Sequence, residues 1–324
     1  MEQLRLGILG YADIVRRRIL PALSESKQVV LSGIATRRDP EEYPEIQLLS
    51  ETPRFYRGYE ALLADPAIDA VYIPLPNSLH VEWAIRAMEA GKHVLCEKPM
   101  ALSLAETKRL FSVADTNHVQ LCEAFACMQS PLFPVLRDMI TQGYIGDLTV
   151  MNAFFHYYKP GWESTIVAKP ELGGGAFNDV GCYHVLTFCE LLERAPSDAY
   201  GVLEIGKTGV DELVIATLDF DGPVGVLQSS IRSIRNTGIT LLGNKGYVHF
   251  DQTPNAWGDI SVYFTGEKGT GEIKLCVPNN YAAELDAFSR TVTEHAPFAM
   301  SREKSLRNAA VMELIRSSLV LKTE

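Results

Sequence analysis

The chain lacks a long apolar run. None of its uncharged stretches approaches the roughly 18 residues that a bilayer-spanning helix needs, so no membrane role is expected. Its start, Met1-Glu2-Gln3-Leu4-Arg5, has neither the basic residues nor the extended apolar core of a secretory leader, which predicts a cytoplasmic protein. Positive charge is in deficit: 30 Lys and Arg stand against 40 Asp and Glu, a net charge of -10. Binding along a nucleic-acid backbone needs a positive surface, so that class is excluded, although a few local arginines can still hold a small anion. Cysteine is sparse and unpatterned. Cys96, Cys122, Cys127, Cys182, Cys189 and Cys276 form no Cys-x-x-Cys pair and no metal-ligand spacing. They read as free thiols in a reducing compartment, and no metal centre is expected. Repeats, low-complexity tracts and long linkers are absent as well.

What is present is ample core material, with 47% apolar and 22% charged residues over a length of 324, more than one core usually serves. Two domains are therefore expected. In the first third, short apolar runs alternate with amphipathic stretches. Strands are predicted at 4–9, 29–35, 70–73, 93–96 and 119–123, and helices at 13–24, 59–64, 80–90 and 103–116. Gly91 closes one of these helices, and Ser103 with Glu106 opens another as a capping box. That alternation predicts an α/β fold with a doubly wound parallel sheet, covered on both faces. After about residue 147 the pattern changes to long alternating runs at 148–158, 199–205, 212–220, 224–231 and 240–250. Turn signals such as Asp221-Gly222-Pro223 and Gly243-Asn244-Lys245-Gly246 separate them. This predicts an α+β domain with a large, mostly antiparallel open sheet, ended by helices at 282–295 and 302–321. The expected domains are 1–122 for dinucleotide binding and 123–324 for substrate binding and oligomerisation.

Chemistry concentrates where strands end. After the first strand comes Gly10-Tyr11-Ala12-Asp13-Ile14-Val15. A dinucleotide fold wants Gly-x-Gly-x-x-Gly there, so that backbone can approach a pyrophosphate at a helix N-terminus. Only Gly10 survives, with Ala12 still small enough for close approach and Val15 implying looser helix-sheet packing. The second strand ends in Thr36-Arg37-Arg38, where NAD enzymes carry an acid for the ribose hydroxyls. A carboxylate would repel a 2′-phosphate, whereas a guanidinium grips it in two places, so the pair favours NADP over a merely solvated surface role. The triplet Arg16-Arg17-Arg18 fits a solvated helical face better than a ligand clamp. Cys96-Glu97-Lys98-Pro99 ends the fourth strand and aims Lys98 at the crevice that open α/β sheets use for ligands. An ammonium there can polarise a carbonyl or lower the pKa of a neighbouring acid.

These segments occur in order with Ile73-Pro74-Leu75-Pro76-Asn77-Ser78-Leu79-His80, Glu123-Ala124-Phe125 and Glu171-Leu172-Gly173-Gly174-Gly175-Ala176-Phe177-Asn178-Asp179-Val180-Gly181-Cys182-Tyr183. Together they resemble the glucose-fructose oxidoreductase, inositol dehydrogenase and rhizopine-catabolism (Gfo/Idh/MocA) family across nearly the whole chain. The resemblance implies a Rossmann domain and an open-sheet domain that often pairs subunits, here a homo-oligomer, dimer or tetramer. It implies a cofactor set of Gly10, Tyr11, Ala12, Asp13, Ile14, Thr36, Arg37, Arg38, Pro74, Leu75, Asn77, His80, Glu97 and Lys98. It also makes Lys98 the catalytic lysine, Tyr183 the proton donor and Asp179 a substrate-side carboxylate. A helical Asp179-to-Tyr183 stretch would stack both side chains on one face. His184, its neighbour, would point about 100° away, as a core or rim histidine.

Leu4-Arg5-Leu6-Gly7-Ile8-Leu9-Gly10-Tyr11-Ala12-Asp13-Ile14, with Arg17-Arg18-Ile19-Leu20-Pro21-Ala22 and Glu82-Trp83, further resembles the nucleotide-sugar 3-ketoreductases of deoxysugar pathways. That implies NADPH-dependent reduction of the C3 ketone of a nucleotide-linked deoxyhexose. Many relatives carry Arg or His-Pro after the Glu-Ala-Phe segment, where this chain has Met128-Gln129-Ser130-Pro131, so its substrate pocket is expected to differ. The alternatives are an NADP-dependent dehydrogenase of free sugars, polyols or dihydrodiols, and a non-catalytic NADP-sensing regulator. A sensor has no use for the proton donor that this chain retains.

Overall fold

The apolar run 4–9 forms a strand buried on both faces, with Leu6, Ile8 and Leu9 fully enclosed, as a parallel strand between two helical layers must be. The computed structural model describes residues 3–36, 46 and 52–322. Six parallel strands make the first sheet: β1 (Leu4–Leu9), β2 (Val29–Ala35), β3 (Arg54–Tyr56), β4 (Ala70–Ile73), β5 (His93–Glu97) and β6 (Leu121–Ala124). Their order is β3-β2-β1-β4-β5-β6, that of a dinucleotide-binding sheet, with the switch point between β1 and β4. The helices of this part are α1 (Leu20–Glu25), α2 (Tyr59–Leu63), α3 (Asn77–Glu89) and α4 (Leu104–Thr116). Ser103 Oγ caps α4 by accepting the Glu106 N–H at 3.2 Å, the capping box read from the sequence. α1 is preceded by a π-helical turn, Val15–Ile19, and α3 starts at Asn77 rather than at His80.

The second part holds α5 (Leu132–Thr141), α6 (Cys182–Leu192) and a nine-stranded sheet. Its strands are β7 (Leu148–Tyr158), β8 (Asp198–Ile205), β9 (Asp211–Asp219), β10 (Val224–Ser230), β11 (Arg232–Gly243), β12 (Gly246–Phe250), β13 (Gly258–Gly266), β14 (Gly269–Val277) and β15 (Leu319–Leu321). Two helices close the chain, α7 (Asn280–Glu294) and α8 (Arg302–Ser318). The order is β14-β13-β12-β11-β7-β10-β9-β8-β15, antiparallel except where β10 meets β7 and β15 meets β8. The stretch 240–250 is thus two strands folded about Gly243-Asn244-Lys245-Gly246. The last helix stops at Ser318, three residues short of the predicted end. Leu319–Leu321 instead pair with Gly201–Leu203, because backbone pairing at the β8 edge outweighs helical periodicity there.

The chain packs as two units, Met1–Gln129 with Pro278–Ser305, and Ser130–Val277 with Leu306–Glu324. In the first, α7 returns to the parallel sheet: the Asp286 carboxylate accepts from Ser26 Oγ at 2.5 Å and from the Lys27 and Gln28 amides at 3.3 Å. In the second, α6 is buried all round from Cys182 to Leu191, as a core helix is. No helix among the described residues is long and apolar enough to cross a membrane.

Candidate active site

The last residue of β2 and the loop after β4 meet at Gly10, which follows β1. Its φ is +95°, its N–H donates to the Ala35 carbonyl at 2.8 Å, and a Cβ on it would stand 3.0 Å from Leu75 Cδ2. A side chain here would be strained in backbone and crowded against the β4 loop, so only glycine serves. Tyr11 and Ala12 follow in the turn, and Asp13 and Ile14 open the helical segment. The Asp13 carboxylate is held by Arg16 at 2.7 Å and Arg17 at 2.9 Å, all three exposed, so these arginines sit in surface pairs as the sequence suggested. Thr36 is buried, its N–H on the Tyr56 carbonyl at 3.2 Å. Arg37 and Arg38 lie outside the described residues. Pro74 and Leu75 are buried, and Asn77 is the first residue of α3, partly exposed. A glycine in the left-handed region at the head of a helix, with the end of β2 and the β4 loop against it, is the kind of turn that admits a dinucleotide.

His80 does something the sequence did not reveal. It is fully buried, with Nδ1 at 2.9 Å from the Pro99 carbonyl and Nε2 at 2.8 Å from the Leu75 carbonyl. Its two ring nitrogens thus face the loops after β4 and β5, and the side chain supports those loops from beneath. Burial holds its pKa below the usual imidazole range; the two carbonyls oppose that fall and the Lys98 charge adds to it.

Lys98 is half-buried at the end of β5. The backbone around it is gripped at three successive residues. Glu97 Oε2 accepts the Lys98 N–H at 3.2 Å, His80 meets the Pro99 carbonyl, and Glu123 Oε1 accepts the Met100 N–H at 2.9 Å. The other oxygen of Glu97 accepts from Tyr72 Oη at 2.5 Å, so a carboxylate proposed for the cofactor has work within the protein. Glu123 sits in the four-residue strand β6, 4% exposed. Burial pushes its carboxyl up to about 7; the bond from Met100 and the Lys98 charge resist this, while Glu97 adds to it. The sequence marked Glu123 only as the first residue of the Glu-Ala-Phe segment, an isolated acid in a run of Leu, Cys and Ala.

In the second unit, Gly173-Gly174-Gly175 leads into a π-helical turn, Phe177–Gly181, which runs directly into α6. Gly175 has φ +102°, and a Cβ there would fall 2.0 Å from Asp211 Oδ1. Asp211 Oδ2 instead accepts the Phe177 N–H at 2.7 Å. Asn178 donates to the Gly173 carbonyl at 3.0 Å and accepts from Arg316 at 2.6 Å. These contacts fix the turn that carries Asp179. The π-turn also alters the expected stacking, since a turn widened by one residue changes the angle between positions four apart. Asp179 Oδ2 accepts from Tyr157 Oη of β7 at 2.5 Å. Burial and the Asp179 charge raise the Tyr157 phenol far above its ordinary value, so it remains the donor.

Tyr183, second residue of α6 and 9% exposed, accepts on its Oη from Asn255 Nδ2 at 2.8 Å. His184 points elsewhere. Its Nδ1 lies 3.2 Å from Ser229 Oγ, and burial lowers its pKa to about 3, His156 adding to the fall. It is the core histidine expected of that position. Tyr157 and Asn255 escaped the sequence reading because their partners stand 22 and 72 positions away, with no local signal. Ser130 is buried, its Oγ accepting the Leu132 N–H at 3.2 Å at the head of α5.

Comparison with known proteins decides the assignment. Residues 4–125 match an oxidoreductase family with an NAD-binding Rossmann fold, Gfo/Idh/MocA, and residues 133–249 match the C-terminal domain of the same family. The chain belongs to the Gfo/Idh/MocA oxidoreductase family. As a member it is an NAD(P)-dependent oxidoreductase. It is 30% identical to dTDP-3,4-didehydro-2,6-dideoxy-alpha-D-glucose 3-reductase of Saccharopolyspora spinosa, over 97% of each chain. It is also 30% identical to D-xylose 1-dehydrogenase (NADP(+)) 2 of Haloferax volcanii, over 96% of each. Among solved structures, a 3-ketoreductase from Actinomadura kijaniata in complex with NADP and TDP-benzene superposes with a TM-score of 0.91 at 28% identity, covering 99% of both chains. That ketoreductase has also been solved with a tyrosine changed to phenylalanine and with a lysine changed to glutamate or alanine.

Proposed function

We propose that this family member is an NADPH-dependent reductase of a keto-sugar, acting on the C3 ketone of a nucleotide-linked deoxyhexose. The observation that carries the reading is the end-to-end correspondence with the 3-ketoreductase that binds NADP and TDP-benzene. Arg37 supports the choice of NADP, because a guanidinium at the end of β2 suits a 2′-phosphate. When bound, NADPH supplies hydride to the carbonyl carbon. The Tyr183 hydroxyl gives its proton to the carbonyl oxygen, and the Lys98 ammonium stabilises the negative charge that develops there. Asp179, oriented by Tyr157, takes hydroxyls of the sugar.

A second reading, dehydrogenation of a free sugar with NADP, is favoured by the likeness to the xylose dehydrogenase. A substrate panel separates the two: nucleotide-linked keto-deoxyhexoses with NADPH against free aldoses with NADP. Turnover of the free aldoses alone would end the ketoreductase reading. For the cofactor, Arg37→Ala should weaken NADP binding by about 1.5–3 kcal/mol and leave NAD binding unchanged. Equal affinity of the parent for both cofactors would remove the argument from Arg37.

We further propose that copies pair through the open sheet, where Tyr200, Val202, Tyr247, Tyr263 and Val320 are exposed. Sedimentation at micromolar concentration reads this directly, and a strictly monomeric species would count against it.

A further inference from the structure

Asn255 has no counterpart in the sequence motifs, yet its amide is the group that meets the Tyr183 phenol oxygen. It lies between β12 and β13 in a turn closed by the Ala256 N–H on the Thr253 carbonyl at 2.9 Å, with the buried Pro254 at the first corner. Proline there pre-sets the turn and fixes where the next side chain leaves the backbone. The orientation of the amide follows from its surroundings. Oδ1 is buried and has no hydrogen-bond partner among the described residues, while Nδ2 faces Tyr183 Oη at 2.8 Å. Turning the amide over would place two N–H donors where one unpartnered oxygen now sits, the costlier arrangement.

We propose that Asn255 is a positioning residue for Tyr183: by donating to the phenol oxygen it turns the hydroxyl proton away from itself and toward the reacting carbonyl. The inference rests on the reading of Tyr183 as proton donor. A phenol oxygen that accepts one hydrogen bond has its own O–H directed to a different acceptor. The same bond strengthens as negative charge grows on the phenol oxygen during proton transfer, so it favours the transition state over the ground state.

Three ionisable groups on the neighbouring elements of this unit keep one charge state through the alkaline range. His184 on α6 and His156 on β7 are both held neutral by burial, and the Tyr157 phenol is pushed up and keeps its proton on Asp179. Asp179 stands one turn before Tyr183, and Asp251 is exposed on the approach to the turn.

The test is the pH profile of turnover in the reductive direction, measured on the full-length enzyme with NADPH and a keto-sugar that the parent accepts. Rate falls at high pH as the acid is lost. Tyr183→Phe should remove that limb, which checks the reading beneath this one. Asn255→Ala should move the limb up by about one unit and lower the plateau about tenfold, because the ionised phenol has lost a donor. Asn255→Asp, nearly the same shape, should lower the plateau on the order of 10²-fold, since its carboxylate draws the phenol proton to itself. Asn255→Gln, which keeps the donor, should return the limb toward its original place. A lowered plateau with an unmoved limb in both Asn255→Ala and Asn255→Asp would overturn the proposal while leaving Tyr183 as the acid. A limb that persists in Tyr183→Phe would overturn both.

Discussion

Lys98 and Tyr183 are held by opposite means. At Lys98, the lysine of the proposed chemistry, the backbone is gripped, with half-buried Glu97 and buried His80 and Glu123 each taking a backbone atom of one of three successive residues. At Tyr183, the proposed proton donor, the backbone is an ordinary helical turn and the phenol oxygen is gripped, receiving the Asn255 amide. An ammonium acts as a charge and tolerates rotation, so fixing its root is enough. A phenol must deliver one proton along one line, so the oxygen has to be oriented. The difference tells where substitutions will cost catalysis and where they will cost the scaffold.

The largest effects should come from removing the two proposed catalytic groups. Tyr183→Phe is expected to lower single-turnover NADPH oxidation by about 10²–10⁴-fold while NADPH binding survives. Lys98→Ala should be at least as damaging, because the developing alkoxide loses its counter-charge. Near-full turnover in either variant would break the comparison at its root.

The next effect probes the clamp rather than the chemistry. Glu123 has its carboxyl raised from 4.5 to about 7 in the folded protein. Between those values the native state holds a proton that the unfolded chain has released, so stability falls as pH rises through that window. Glu123→Gln removes the titration but keeps an oxygen for the Met100 amide. It should therefore reduce that fall in stability by at most on the order of 3 kcal/mol, with turnover retained. Urea midpoints from pH 4.5 to 7.5 measure it. Part of the fall should remain, since burial raises Glu284 and Asp211 in the same direction. An unchanged slope would mean that Glu123 is not the titrating member of the clamp.

A small effect on turnover is expected at His184. Its ring is buried on Ser229 and neutral, so His184→Ala should cost roughly 1–3 kcal/mol of stability through the lost buried hydrogen bond. Turnover should fall by less than about tenfold, below the loss of a positioned acid. If His184→Ala is inactive while Tyr183→Phe runs at nearly full rate, the two neighbours exchange roles.

Much of this was legible in the chain itself, for reasons that differ from residue to residue. The buried run 4–9, the Ser103 and Glu106 cap and the turn at Gly243–Gly246 depend on contacts within a few residues, and local pattern reports such contacts well. Gly10 was readable as the surviving glycine of a phosphate turn, and Lys98 as a base before proline at a strand end. Other expectations failed where distant backbone intervened. Residues 319–321 continue a helical pattern, yet they pair with β8, more than a hundred positions earlier.

By itself the sequence determined the α/β alternation, the change of regime after residue 147, the family, and the residue types at the strand ends. Tertiary structure alone decided that α7 packs with the parallel sheet, that His80 faces two loops, that Glu123 anchors the Met100 amide, and that Asn255 meets Tyr183 across 72 residues. The physical reason is one of range. Periodicity and turn propensity are properties of a few adjacent residues, whereas a buried polar group finds its partner only when the chain has closed around it and excluded water.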